Sequence, residues 1–246
     1  MVRVKNTFRP KRNTDQLIVK DGTSMSMILR GKQAIKKIYK ILYSAQAFMI
    51  PHLYRHVEQF FEYNICQDGT DPQSDARRIL VHVTVEAYNS LEIPIPDPDV
   101  DADSTYKVQH LRVTGRKSWR GGEPRRDPAW VRVGSMSLRR ASDGGRSKCH
   151  RGRAIGFLNA LFILQGTNQE VYKLAHVTLL DWLGNPTPHG PEGMSRVEGQ
   201  TGGGGDCIVW LRAIAGAVHL IPLEPERNWI VNKRVAYHVW NEMNDW

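Results

Sequence analysis

Beyond residue 153 the chain is a series of short apolar runs, IGFLNALFIL (155–164), VYKLAHVTLL (171–180) and CIVWL (207–211), with turn-forming residues between them. Runs of this length, rich in branched and aromatic side chains, predict strands rather than helices. AIAGAVHLIP and NWIVNKRV continue the pattern, the GQTGGGG stretch (199–205) reads as a loose strand connection, and a short terminal helix is expected around Tyr237–Asn244. Many strands and few helices predict a small barrel or curled sheet over residues 154–246.

The first part of the chain has a different texture. Residues 1–30 are expected to form a basic flexible arm, since residues 1–16 show no apolar periodicity. Ile35, Ile38, Ile41, Leu42 and Ala45 recur at helical spacing, and Pro51 suits the first turn of a second helix over His52–Tyr63. These two elements predict an amino-terminal helical hairpin, ended by the turn formers of QDGTDPQSD (67–75). Strands are expected over Ile79–Tyr88, Tyr106–Val113 and Trp130–Val133, with an extended acidic linker over 93–103. The fold class is α+β: a unit over 31–135 carrying the hairpin and extended segments, a basic linker loop over 136–153, and the β-rich module after it.

Charge is unevenly placed along the chain. Residues 1–40 hold 11 Lys/Arg against 2 Asp/Glu, and residues 112–153 hold 13 against 3; residues 41–111 hold 4 against 11, and 154–246 hold 6 against 9. The net charge of +9 therefore belongs to two blocks. Clustered cations favour a polyanion, because each phosphate contact releases condensed counterions. DNA or RNA is the expected partner, with Arg112, Arg116, Lys117, Trp119, Arg120, Arg125, Arg126, Arg139 and Arg140 as candidate contacts. Trp119 adds a ring that can stack on bases between phosphate-binding guanidiniums. The competing reading is a solvating basic loop folded against the chain's own acidic block. RRAS (139–142) offers a basophilic phosphorylation pattern, which at Ser142 would weaken a basic surface.

Other chemistries fail at particular positions. Asp97, Asp99, Asp101 and Asp103 alternate like calcium ligands, but a loop begun at Asp97 has Ala102 in place of the turn glycine and Val108 in place of the glutamate. His52 and His56 share a helix face, yet Leu53 stands where a zinc hydrolase carries glutamate, so a structural or surface pair is expected. Cys149 and His150 lie in a basic loop without an orienting base. No CxxC, GxGxxG or phosphate-loop pattern occurs, and neither catalytic residue, cofactor nor metal is expected. Three widely spaced cysteines, Cys66, Cys149 and Cys207, suit a reducing compartment, and no apolar run has the length of a membrane span or signal core. A nuclear or cytoplasmic, intracellular protein without membrane partners is the expectation. Trp130, Tyr172, Trp182, Trp210 and Trp229 accompany strand runs and are expected in the core. The alternative is an aromatic cage in a chromatin-reader or protein-interaction barrel of the bromo-adjacent-homology-like type.

Several strings, in order, carry a resemblance: YNSLEIP (88–94), HLRVTG (110–115), RRDPAWVRV (125–133), LNALFIL (158–164), YKLAHV (172–177), AVHLIP (217–222) and NWIVNKRV (228–235). Over about residues 45–246 the chain resembles the carboxy-terminal region of proteins encoded by fungal DNA transposons of the Plavaka and CACTA-like kind. Asp127, Trp130, His219, Leu220, Ile221, Pro222, Trp229, Val231 and Asn232 occupy the matching places. Pro128 and Ala129 before the tryptophan, and the GQTGGGGD stretch, depart from the pattern and point to a divergent copy. The resemblance implies a mobile-element origin and no catalytic residue to carry over, since the acidic residues of strand transfer would lie upstream.

Overall fold

The computed structural model describes residues 14–18, 24–32, 50–66, 71–96, 106–113, 125–132, 152–166, 170–183, 195–199, 205–223 and 228–232. The expected first helix over Ile35–Ala45 and the terminal helix at Tyr237–Asn244 lie outside them, as do Asp97–Asp103, Ser142, Cys149 and His150.

Two strands set the architecture. β3 (Thr84–Pro96) and β6 (Arg153–Gln165) each run for 13 residues, about twice an ordinary strand. That length lets each take successive partners along one edge. β3 pairs with β6 through Thr84–Tyr88 and with β4 (Tyr106–Arg112) through Ser90–Pro96, while β2 (Ser24–Lys32) takes its other edge. β6 pairs in turn with β5 (Pro128–Arg132) and β3 on one edge, and with β7 (Val171–Leu179) on the other. β1 (Thr14–Ile18) extends β2, β10 (Asp206–Trp210) extends β7, and β11 (Ile214–Ala217) extends β5, giving nine antiparallel-paired strands in one sheet among the described residues.

Three clusters of buried side chains divide the surfaces of this sheet. Its inner side gathers Met27, Leu29, Leu91, Ile93, Leu111, Val131, Leu158, Leu161, Val177 and Ile214. Part of its other side is covered by two helices, α1 (Leu53–Asn64) and α2 (Pro72–Leu80), through Leu53, Val57, Phe60, Phe61, Ala76 and Leu80. Glu58 on α1, buried at the helix interface, accepts from the Arg77 guanidinium on α2. Another part is covered by a second sheet of β8 (Asp181–Leu183), β9 (Ser195–Glu198), β12 (Leu220–Leu223) and β13 (Asn228–Val231). Here Trp130 stacks near Trp182, centroids 6.2 Å apart, with Ile155, Val197, Val218 and Val231 around them.

The result is α+β with a strongly β-rich character. Runs 155–164, 171–180 and 207–211 are strands, as expected. HLIP (219–222) and WIVN (229–232) prove to be neighbours: Leu220–Leu223 pairs with Asn228–Val231, and the Asn232 backbone N–H donates to the His219 carbonyl at 2.9 Å.

Four expectations are corrected. Residues 14–18 and 24–32 form a hairpin rather than part of a flexible arm, because β2 has an edge of β3 to join. The stretch read as turn material starts α2: the Asp71 side chain accepts from Ser74 N–H at 3.2 Å and Pro72 occupies the first turn, where its missing N–H costs nothing. The stretch read as an acidic linker from residue 93 begins as strand, because β3 continues through Pro94 to Pro96. Among the described residues β2 pairs with β3 only as far as Glu92, so the prolines interrupt no ladder on that side. Finally, the 136–153 segment does not separate two cores, since β5 before it and β6 after it are paired over Pro128–Arg132.

Candidate functional site

β6 contains a bulge. Leu158 is opposite Val177 and Ala160 opposite His176, leaving Asn159 as the extra residue. One inserted residue reverses the alternation of side chains. Before it, Ala154 and Leu158 face the inner core and Ile155 faces the second sheet; after it, Leu161 and Ile163 face the inner core and Phe162 and Leu164 face the helices. Asn159 therefore marks the seam between the two outer layers. β7 passes the same seam: Tyr172 and Leu174 lie under the helices, His176 and Thr178 follow on that face, and Leu180 joins the second-sheet cluster.

Polar side chains fill this seam from four elements. His56, on the first turns of α1, places Nδ1 3.1 Å from Nε2 of His176. Asn159 Nδ2 lies 3.0 Å from His176 Nδ1 and donates to Thr178 Oγ1 at 2.7 Å. The Thr178 hydroxyl donates to Asp206 Oδ1 at 2.5 Å, from the residue directly opposite it on β10. With the Asn159 amide donating to His176 Nδ1, the neutral ring carries its hydrogen on Nε2, which then donates to His56 Nδ1. Asn159 Oδ1 is buried without a hydrogen-bond partner.

Burial sets the charge states. The fully buried His176 ring is pushed down to about 3, chiefly by loss of water, with like charge from His56 and Arg126 adding to it. His56 is also lowered by burial, while the Asp206 carboxylate opposes that shift. Both imidazoles are thus neutral near pH 7, with a carboxylate beside them.

Gly205 explains how Asp206 comes so close. A Cβ at that position would lie 2.5 Å from the Leu179 carbonyl oxygen, whereas glycine lets the backbone approach and accept from Leu179 N–H at 2.9 Å.

No family model, curated protein or solved structure matches the chain.

The candidate nucleic-acid contacts are reached only in part. Arg116, Lys117, Trp119, Arg120, Arg139 and Arg140 lie outside the described residues. Arg112, Arg125 and Arg126 are exposed where β4 ends and β5 begins. Asp127 ties this corner together, accepting from Arg112 backbone N–H at 2.7 Å and from Arg125 Nε at 2.8 Å. Arg112 is directly opposite Ser90, which is directly opposite Arg30 on β2. All three face away from the inner core, because the neighbouring row, Leu29, Leu91 and Leu111, faces into it. Arg30 also contacts Glu92 at 2.9 Å, and His110 stands 3.7 Å from the same carboxylate.

Of the expected histidine pair, His52 is exposed with left-handed backbone (φ 58°) before α1, and His56 turns to His176 instead. The aromatic residues divide between two packing clusters. Trp130 and Trp182, with Trp229 against them, lie under the second sheet; Tyr172 and Trp210 pack on Phe61 and Phe60, at 4.8 and 5.0 Å. Among the described residues no helix is long and apolar enough to cross a membrane.

His176, Asn159 and Asp206 were not singled out in the sequence. The available signal was a polar residue interrupting an apolar strand, in VYKLAHVTLL and LNALFIL. An isolated buried polar residue of this kind needs a partner, although its identity depends on folding.

Proposed function

We propose that this chain is a non-catalytic, nucleic-acid-associated accessory or tail module of a fungal transposable element. The observation that carries the reading is the row Arg30–Ser90–Arg112. Arg30 comes from the first basic block and Arg112 from the second, and the register of β2–β3–β4 sets them on one exposed face. Strands stand about 4.8 Å apart, so the two Cα atoms are separated by about 10 Å. Phosphate groups on a nucleic-acid backbone can be reached from both. The resemblance to the tail of Plavaka-like transposon proteins supplies the biological setting.

Filter binding of the whole chain to duplex and single-stranded DNA and to RNA, over a salt series, tests the proposal. Electrostatic binding predicts log K falling linearly with log salt. Absent affinity at low salt, or affinity indifferent to salt, would remove the reading.

A further inference from the structure

We propose that His56, His176 and Asp206 form a binding site for one divalent transition-metal ion of borderline softness, with zinc as the experimental probe. The site does not rest on the nucleic-acid reading.

Each of the three residues offers one ligand atom, and these atoms all lie within 4.8 Å of one another. Two facing imidazole nitrogens at 3.1 Å have the separation expected along an edge of a coordination polyhedron. With metal–nitrogen bonds of about 2.0–2.1 Å, that edge is about 2.9 Å in an octahedron and about 3.3 Å in a tetrahedron. Two nitrogens and one carboxylate oxygen suit zinc and its first-row neighbours better than calcium or magnesium, which take oxygen ligands. The three ligands come from a helix and two strands, so they are fixed by the tertiary structure.

The surroundings support the assignment. His176 is fully buried, its ring held between His56 at Nε2 and Asn159 at Nδ1. When Nε2 binds an ion, Nδ1 must carry the hydrogen and donate it to an outer acceptor. Asn159 stands at that nitrogen with a buried Oδ1 that lacks a partner; a half-turn of its amide presents this oxygen to His176 Nδ1 in exchange for the bond that Nδ2 donates to Thr178 Oγ1. The Thr178 hydroxyl orients Asp206. Arg126 acts on His176 with positive charge and opposes the ion, while the Asp206 carboxylate favours it. Three protein ligands leave at least one coordination position for water or another small ligand.

The test is calorimetric titration of the chelator-treated full chain with Zn2+, repeated with Co2+ followed by visible absorption. One equivalent should bind saturably, the Co2+ complex should show ligand-field bands, and zinc should raise the thermal midpoint. His56→Ala and Asp206→Asn should each weaken binding at least tenfold. His56 is half-buried on the helix surface, so its truncation leaves the core intact, and circular dichroism should confirm folding of both variants. His52→Asn, one helical turn earlier on exposed backbone, should bind as the unaltered chain does. Uptake of less than one saturable equivalent, unchanged affinity in both ligand variants, or loss of binding in His52→Asn would overturn the assignment.

Discussion

His56 on α1 and His176 on β7, 120 residues apart in sequence, bring ring nitrogens to 3.1 Å at the seam between the helical layer and the second sheet. The contact ties the helix to the strand at the point where apolar cover ends. It also makes folding stability depend on pH. His176 takes a proton near pH 6.5 when unfolded but only at about 3 when folded. Below pH 6.5 the unfolded chain therefore binds more protons, so stability is fully present above that value and declines as pH falls toward 3, by up to about 1.4 kcal/mol per pH unit. His56 contributes in the same direction. Urea midpoints between pH 7.5 and 4 should show this slope, and His176→Gln should flatten it. Equal slopes would place the acid sensitivity elsewhere.

Asn159 invites a comparison between truncation and deletion. Asn159→Ala removes the amide bonds to His176 and Thr178 and should cost about 1–3 kcal/mol, while preserving the bulge. Deleting Asn159 removes the extra residue and leaves Leu158 opposite Val177 and Ala160 opposite His176 in an unbroken register, so Leu161 and Ile163 keep the inner face while the polar contacts of Asn159 are lost. Both the truncated protein and the deletion variant should melt cooperatively, at a lower temperature than the unaltered chain; loss of the cooperative transition on deletion would contradict the register assigned to β6.

At Gly205 the constraint is contact with a backbone. A methyl group would meet the Leu179 carbonyl at 2.5 Å, and that oxygen cannot rotate away. Gly205→Ala should lower stability by about 1–3 kcal/mol, measured from the urea midpoint at unchanged m-value.

The cap of α2 provides a smaller effect. Asp71→Ala removes the acceptor for Ser74 N–H and should cost about 1 kcal/mol, with Asp71→Ser recovering most of it. Both variants can be ranked by denaturant midpoint.

These examples show which parts of the fold were legible. β6, β7 and β10 were recognisable because their branched and aromatic residues occur in runs of strand length, and α1 followed from Pro51, which suits a first helical turn. α2 was obscured because Asp-Pro belongs equally to turns and helix starts; what decides between them here is burial of Ala76 and Leu80 against distant residues. β3 extended into the proline-rich stretch because β4 offered a partner. The seam was least legible. His56 was noticed beside the wrong histidine, since the sequence displays spacing along a helix but not the register that places Asp206 opposite Thr178.

The most direct test of the central reading is the salt dependence of DNA binding by the Arg30→Gln/Arg112→Gln double variant. If the two guanidiniums of the β2–β3–β4 face neutralise phosphates, the slope of log K against log salt should fall in magnitude by about 2. Arg196→Gln, an exposed site on the second sheet, should leave the slope unchanged. A double variant with the slope of the unaltered chain would contradict a nucleic-acid contact on this face.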